Sequence, residues 1–288
     1  MSIKSILVPL SGADTDPQAL SAAFAVARDF DAHVDSLFVK LDPRDAVPML
    51  GEGMSGAMVD EIMSAAEADA NAHLTAARRH FEAVVSREQV DLREAPPAAE
   101  GVSARWREVV GRAEDVVPQE GRLSDLLVFA HTAVERDTQA YVTLETALLG
   151  AGRPLLLVPA QAPASIGKRV VVAWNGSTEC ARAVAGAMPF LRRADAVHVL
   201  TAETSSTPSA TGRRMAEYLA WHDVNCQLTI VKPGSEPVGQ TLTGKAAELE
   251  ADLMVMGGYG HSRMRELILG GVTRYVLGHA GLPVLMAH

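Results

Sequence analysis

Short apolar runs alternate with longer amphipathic or alanine-rich stretches along the whole chain. The runs of the first half predict five strands, at residues 6–9, 34–39, 90–94, 126–130 and 155–158. Those of the second half predict five more, at residues 170–174, 197–201, 227–231, 253–256 and 284–286. Several runs are continuously apolar, which is typical of parallel strands covered on both faces. The alternation predicts an α/β fold of parallel, doubly wound, Rossmann-like sheets with right-handed crossovers.

The two halves of this pattern repeat each other. The segment "KSILVPLSGADTDPQALSAAFAVARDFDAHVDSLFV" (4–39) parallels "KRVVVAWNGSTECARAVAGAMPFLRRADAVHVLTA" (168–202), and "SDLLVFA" (124–130) parallels "ADLMVMG" (251–257). A repeat over more than a hundred residues indicates duplicated domains rather than a solenoid. The linker "PAQAPASIGK" (159–168) separates them. We therefore predict two five-stranded domains, at residues 1–160 and 166–288.

An alanine-rich helix is predicted at residues 57–86, before the third strand of the first half. We interpret this helix as a solvated cover. Asp69, His73 and His80 share one of its faces, which allows either a metal site or a polar outer face. The outer face is favoured, because these three residues form no compact ligand set.

Glycines cluster near the end of the chain, in "MVMGGYGHSRMRELILGGVTRYVLGHAGLPVLMAH" (254–288). Glycine inside regular structure costs about 0.5–1 kcal/mol relative to alanine, so the cluster needs a reason. It follows the fourth strand of the second half, and doubly wound sheets bind ligands beyond the carboxyl ends of their strands. Such a turn exposes backbone N–H groups, and "GGVT" (270–273) predicts a helix N-terminus that suits a phosphate. Two tight turns without a ligand are the alternative.

The spacing Gly257-x2-Gly260-x9-Gly270, followed by Val272-Thr273 and an "LPVLM" strand, resembles the nucleotide signature of universal stress proteins. The turn "VAWNGS" (172–177) adds to the resemblance, and the duplication is similar to the tandem members, whose two domains form a pseudo-dimer. In that family the glycine loops hold the phosphates of ATP. The resemblance implies an adenine and ribose pocket from Ala173, Trp174, Asn175, Leu200 and Thr201. It implies phosphate contacts from Gly257, Gly260, His261, Gly270, Gly271, Val272 and Thr273.

Two positions depart from the family pattern. Gly271 stands where a serine or threonine hydroxyl is usual, although Thr273 could supply one. Asn175 replaces the usual acidic residue and offers no carboxylate to a metal ion. With both changes we still expect nucleotide binding, but they weaken the case that the protein catalyses a reaction. We assign no catalytic residue and no metal ligand.

The first half has lost the signature. Ala130 replaces the first glycine, and "YVTL" (141–144) stands where "GGVT" would be. Side chains of Tyr141 and Val142 would enter the space that a phosphate requires, and Glu135, Asp137 and Glu145 would repel it. We therefore predict that only the second half binds a nucleotide.

Composition and charge narrow the range of possible functions and partners. A net charge of −9 argues against a nucleic-acid partner, and the N-terminal apolar run is too short for a signal peptide or a membrane span. Cys180 and Cys226 are far apart in sequence and suit a reducing cytoplasm.

The family resemblance then implies a cytoplasmic stress-response regulator that binds ATP or AMP, with or without Mg²⁺, and acts on an unknown protein partner. A nucleotide-free interaction scaffold and a slow ATP-hydrolysing enzyme stay open, as does a homodimer of the whole chain.

Overall fold

The apolar runs become the strands of one continuous sheet. The computed structural model describes residues 2–46, 55–96, 101–131, 138–161, 165–204, 207–259 and 271–288. Strands of the first half are β1 (Ser5–Leu10), β2 (His33–Lys40), β3 (Asp91–Leu92), β4 (Ser103–Val110), β5 (Leu126–Ala130) and β6 (Leu155–Val158). Those of the second half are β7 (Arg169–Ala173), β8 (Ala196–Ala202), β9 (Gln227–Val231), β10 (Leu253–Gly257) and β11 (Val284–Ala287).

Helices connect these strands and cover both faces of the sheet. In the first half they are α1 (Asp16–Phe30), α2 (Gly56–Glu88), α3 (Ala113–Gly121) and α4 (Thr138–Gly150). In the second half they are α5 (Thr178–Leu191), α6 (Ala210–Ala220), α7 (Val238–Glu248) and α8 (Gly271–His279). Buried apolar side chains form one cluster on each face of the sheet, and each cluster draws residues from both halves.

The strand order within the described residues is β3-β4-β2-β1-β5-β6-β11-β10-β7-β8-β9. Neighbours pair in parallel except at β6 and β11, which pair antiparallel. This seam joins the two halves through the register Leu285↔Leu156, and both side chains are fully buried. The predicted α/β class is confirmed, and the final strands of the two halves pair antiparallel. The division into residues 1–160 and 166–288 stays a prediction, because the sheet runs across it without a break.

Within its described residues the first half holds six strands instead of the predicted five. The run predicted at 90–94 forms only the two-residue β3, whereas β4 lies between β3 and β2 as the longer partner. β4 was missed because its sequence "SARWREVV" is rich in charge. The charges are matched inside the fold: Asp35 of β2 accepts hydrogen bonds from Arg105 at 2.8 Å and Arg107 at 3.1 Å.

Helix α2 confirms the predicted helix at 57–86, with slightly wider bounds. Ser55 caps its first turn by accepting a hydrogen bond from the Met58 N–H at 3.3 Å, and Gln89 ends it in the left-handed conformation. Much of the helix faces solvent. The outer-face interpretation is wrong for His80, whose side chain is 13% exposed and lies 3.8 Å from the Asp16 carboxylate. Within the described ranges, no helix is long and apolar enough to cross a lipid bilayer.

Candidate functional site

A cavity of about 180 Å³ lies beyond the carboxyl ends of β7, β8 and β10, where a doubly wound sheet is expected to bind its ligand. Three groups of predicted residues line it: the end of β7, Leu200 of β8, and Gly257 with the first turn of α8. Further lining residues were not predicted from the sequence: Ser177, Ala202, Thr204, Thr207, Val238, Leu242 and Met256.

The end of β7 supplies Ala173, Trp174 and Asn175 to the cavity wall. The Trp174 N–H donates to the Leu200 carbonyl at 2.8 Å, which keeps β7 in register with β8 one residue beyond the strand. The indole Nε1 of Trp174 is buried and has no hydrogen-bond partner among the described residues. A buried donor of this kind is costly unless a ligand or a water accepts its hydrogen bond.

Part of the Asn175 side chain forms a hydrogen bond within its own turn. Its Oδ1 accepts a hydrogen bond from the Ser177 N–H at 3.0 Å, and Ser177 Oγ in turn caps α5 by accepting from the Cys180 N–H at 3.1 Å. Gly176 between them has φ +80°, a conformation that favours glycine. The amide oxygen of Asn175 therefore shapes the turn, and its NH₂ group is the part left to meet a ligand.

Side chains along β8 alternate between the cavity and the opposite face, as the period of a strand requires. Leu200, Ala202 and Thr204 line the cavity. Thr201 does not: its side chain is buried against α6, where a Cβ on Gly212 would lie 2.5 Å from the Thr201 hydroxyl. The same alternation could have identified Ala202 and Thr204 from the sequence, because they lie two and four residues beyond Leu200.

Gly257 has a packing reason to be glycine. A Cβ at this position would lie 2.6 Å from the backbone nitrogen of Cys180, in the first turn of α5. The next residue, Gly258, packs against Leu148 of α4 in the same way, at 2.8 Å. Absence of side chains at 257 and 258 thus lets two helices approach the end of β10. Access for a phosphate is not needed to explain either glycine.

The first turn of α8 is different, because it is open. A Cβ on Gly271 would meet nothing within 4 Å, and Gly271 is exposed at the cavity wall. Val272 lies beside it, and Thr273 is buried with its hydroxyl accepting the Tyr259 N–H at 3.3 Å. The backbone N–H groups at the start of a helix have no partner within the helix. Gly260, His261 and Gly270 fall outside the described residues.

Charge around the cavity is sparse. Its described lining contains no lysine or arginine. Glu179 lies close to Gly257, in the first turn of α5. Burial raises its pKa, but hydrogen bonds from its own N–H and from the Thr178 hydroxyl outweigh burial and lower the pKa below its usual value. Across the described residues no cluster of three or more His, Cys, Asp or Glu side chains could hold a metal ion.

Sequence and structure comparisons place the chain among known proteins. Residues 167–288 match the sequence profile of the universal stress protein family. No curated protein is significantly similar in sequence to the chain. Among solved structures, a universal stress protein from Archaeoglobus fulgidus DSM 4304 is similar over 99% of this chain and 96% of its own, with a TM-score of 0.67 at 16% identity.

A second solved structure of similar length comes from Pseudomonas aeruginosa UCBPP-PA14 and is named as a universal stress protein. It is similar over 98% of this chain and 92% of its own, with a TM-score of 0.59 at 17% identity. At these identities the two structures establish a shared fold over both halves of the chain.

Proposed function

We propose that the second half of the chain binds one adenine nucleotide, ATP or AMP. The premise is that the chain belongs to the universal stress protein family through residues 167–288. The proposed site is the cavity beyond β7, β8 and β10. Occupancy of this site would change the surface that the chain presents to a regulatory protein partner in a stress response.

The open first turn of α8 is the observation that carries this proposal. Gly271 and Val272 of this turn line the cavity, and a Cβ on Gly271 would meet nothing within 4 Å. The N-terminus of a helix carries about half a positive charge and readily binds phosphate. The described cavity lining holds no lysine or arginine, so among these residues the backbone would supply the attraction for the phosphates.

The rest of the cavity fits the base better than the whole nucleotide. Its volume of about 180 Å³ is below the roughly 300–1,000 Å³ of complete ligand pockets. Apolar side chains flank it, chiefly Leu200, Val238, Leu242 and Met256, and such walls suit a planar base. The unpartnered Nε1 of Trp174 is a donor for a ring nitrogen or a ribose oxygen. The phosphates would then lie toward α8.

We propose a holding role rather than rapid hydrolysis. Phosphoryl transfer depends on a positioned nucleophile and on a metal ion or cations that stabilise the transferring group. The residues that the structure describes around the cavity supply no such base, and Asn175 supplies no carboxylate for Mg²⁺. His261 lies outside the described residues.

An interaction scaffold that binds no nucleotide is the second candidate. Three observations favour it: the small volume of the cavity, the use of the Asn175 amide oxygen within its own turn, and the ionised Glu179 near Gly257. Titration calorimetry separates the two candidates, because a scaffold gives no heat of binding with either ATP or AMP.

The decisive variant is Gly271→Val. The position is open, so a valine there should fold while its branched side chain occupies the space in front of the N–H groups. Gly278→Val is the matched control, since Gly278 is on the same helix, equally open and outside the cavity lining. We expect Gly271→Val to weaken nucleotide binding at least about tenfold and Gly278→Val to leave it unchanged. Equal affinities in all three proteins would refute the site, and two nucleotides per chain would refute its restriction to the second half.

A further inference from the structure

The first half contains a second cavity that is larger than the one in the second half, at about 660 Å³ against about 180 Å³. It lies beyond the carboxyl ends of β1, β2 and β5. Strand registers show that the two cavities are equivalent in the repeat: Pro9 pairs with Leu37 as Ala173 pairs with Leu200. The half that lost the glycine signature has therefore kept, and enlarged, the cavity at the same end of its sheet.

Apolar side chains form most of this first-half cavity. Leu10, Leu37 and Val39 come from β1 and β2, Phe129 from β5, and Val117 from α3. The volume lies within the roughly 300–1,000 Å³ of pockets that hold small organic ligands, which are also mainly apolar with a few polar groups.

Helix α2 closes the cavity on one side, whereas its counterpart α6 in the second half has only 11 residues and contributes none to the described lining of the second-half cavity. Ala66, Asp69, Ala70 and His73 of α2 contribute to the lining. The helix is seated closely on the end of β1, because a Cβ on Gly12 would lie 2.5 Å from the carbonyl oxygen of His73. In the second half the equivalent Gly176 meets only Thr211, at 3.8 Å. The 33-residue helix thus turns an open strand end into a covered cavity.

The charges of this cavity are unsuited to an anion. Its ionisable lining residues are Asp16, Asp69 and His73, and the described lining includes no lysine or arginine. Asp16 is 4% exposed and accepts the N–H of Gly12 at 2.8 Å and the N–H of Ser11 at 3.2 Å. These donors are the ones that a phosphate would otherwise attract, and here they already bind a carboxylate.

We propose that the first-half cavity is a binding site for an apolar small molecule that carries no negative charge. The ligand's apolar body would contact Leu37, Val39, Phe129 and the alanines of α2. The remaining lone pairs of Asp16 would accept a hydrogen bond from a hydroxyl or an ammonium group of the ligand. This site is separate from the proposed nucleotide site and does not depend on it.

The uncharged dye Nile red tests the site directly. We expect its fluorescence to rise on binding with a stoichiometry of one dye per chain. Ala66→Trp places an indole inside the cavity and should lower the affinity for the dye at least about tenfold. Ala68→Trp is the matched control, because Ala68 is exposed on the same helix and should leave the affinity unchanged. Leu41→Glu is an independent variant at the rim of the cavity, where Leu41 is 39% exposed. The new charge should also weaken binding of the dye without affecting the fold.

Displacement of the dye tests the charge of the ligand. Dodecanol, dodecylamine and dodecanoate share one chain length and differ in the charge of the head group. We expect the alcohol and the amine to displace Nile red at least about tenfold more effectively than the carboxylate. Equal or better displacement by dodecanoate, displacement by ATP, or unchanged dye affinity in both Ala66→Trp and Leu41→Glu would overturn the proposal.

Discussion

The phenolic oxygens of Tyr141 and Tyr259 lie 3.2 Å apart, so a hydrogen bond joins the first half of the chain to the second. Tyr141 stands in "YVTL", the segment of α4 that replaces the glycines of the second half. Tyr259 has φ +59°, which few tyrosines adopt, and its N–H donates to Thr273 at 3.3 Å. A residue that would obstruct phosphate in one half therefore supports the turn beside the cavity in the other.

Removal of either hydroxyl should weaken the contact between the halves. Tyr141→Phe and Tyr259→Phe should each lower the free energy of unfolding by about 0.5–1.5 kcal/mol, because each removes the hydrogen bond between two partly buried hydroxyls. The double variant should lose less than the sum of the single losses, since both changes remove the same bond. Urea denaturation of the four proteins measures this coupling. Tyr218→Phe, at an exposed tyrosine, is the control, and strictly additive losses would show that the two hydroxyls do not interact.

Gly257 should behave as a packing residue. Gly257→Ala would place a methyl group 2.6 Å from the Cys180 nitrogen, and the backbone of α5 can yield only by shifting. We expect a loss of about 1–3 kcal/mol in the free energy of unfolding, as for other overpacked positions. Gly244→Ala, in the open middle of α7, should instead stabilise the chain by up to about 1 kcal/mol.

Thermal or urea unfolding measures the stability of both glycine variants, and calorimetry with ATP measures their nucleotide binding. If Gly257→Ala retains full stability and loses only nucleotide binding, then access to the ligand, and not contact with α5, requires the glycine.

The two thiols should differ strongly in reactivity. Cys180 is fully buried, its Sγ donates to the Ala173 carbonyl at 3.2 Å, and burial raises its pKa to about 11 from the ordinary 9.0. Two units correspond to about a hundredfold less thiolate at neutral pH, and the thiolate is the reactive form. Cys226 is only half-buried. With Ellman's reagent the native chain should release one equivalent quickly, and a second only in denaturant. Cys226→Ser should abolish the fast phase, whereas loss of that phase in Cys180→Ser would reverse the assignment.

The repeat and the apolar periodicity were enough to predict most of the architecture. Continuous runs such as those around Val171 and Val255 are buried on both faces, and that environment leaves a clear mark on the sequence. β4 left no such mark, because the charges of Arg105 and Arg107 are neutralised by Asp35, about seventy positions earlier in the chain. A pairing between distant residues cannot be seen in a local window of sequence.

The candidate site shows the same limit. Leu200, Asn175 and Gly271, which the family resemblance implied, line the cavity. The side chain of Thr201 faces α6 rather than the cavity, and a contact of its backbone with the base stays a prediction, since the position of a strand's end does not state which alternate side chains face the ligand. The reason for Gly257 was also invisible, because it depends on where α5 packs. Closure of the first-half cavity by α2 required the helix to be placed in three dimensions.

Two equivalent turns provide a matched test of that closure. Gly12 has φ +86° and Gly176 has φ +80°, so alanine at either position meets the same backbone strain, about 1–2 kcal/mol. Only at Gly12 would the new methyl group also meet α2, because it would lie 2.5 Å from the carbonyl oxygen of His73. Gly12→Ala should therefore lower the urea midpoint more than Gly176→Ala, and it should speed proteolysis within α2, because the helix must lift to make room. Equal midpoints and equal proteolysis in the two variants would mean that α2 is not held against the end of β1, and the first-half cavity would then be open to solvent.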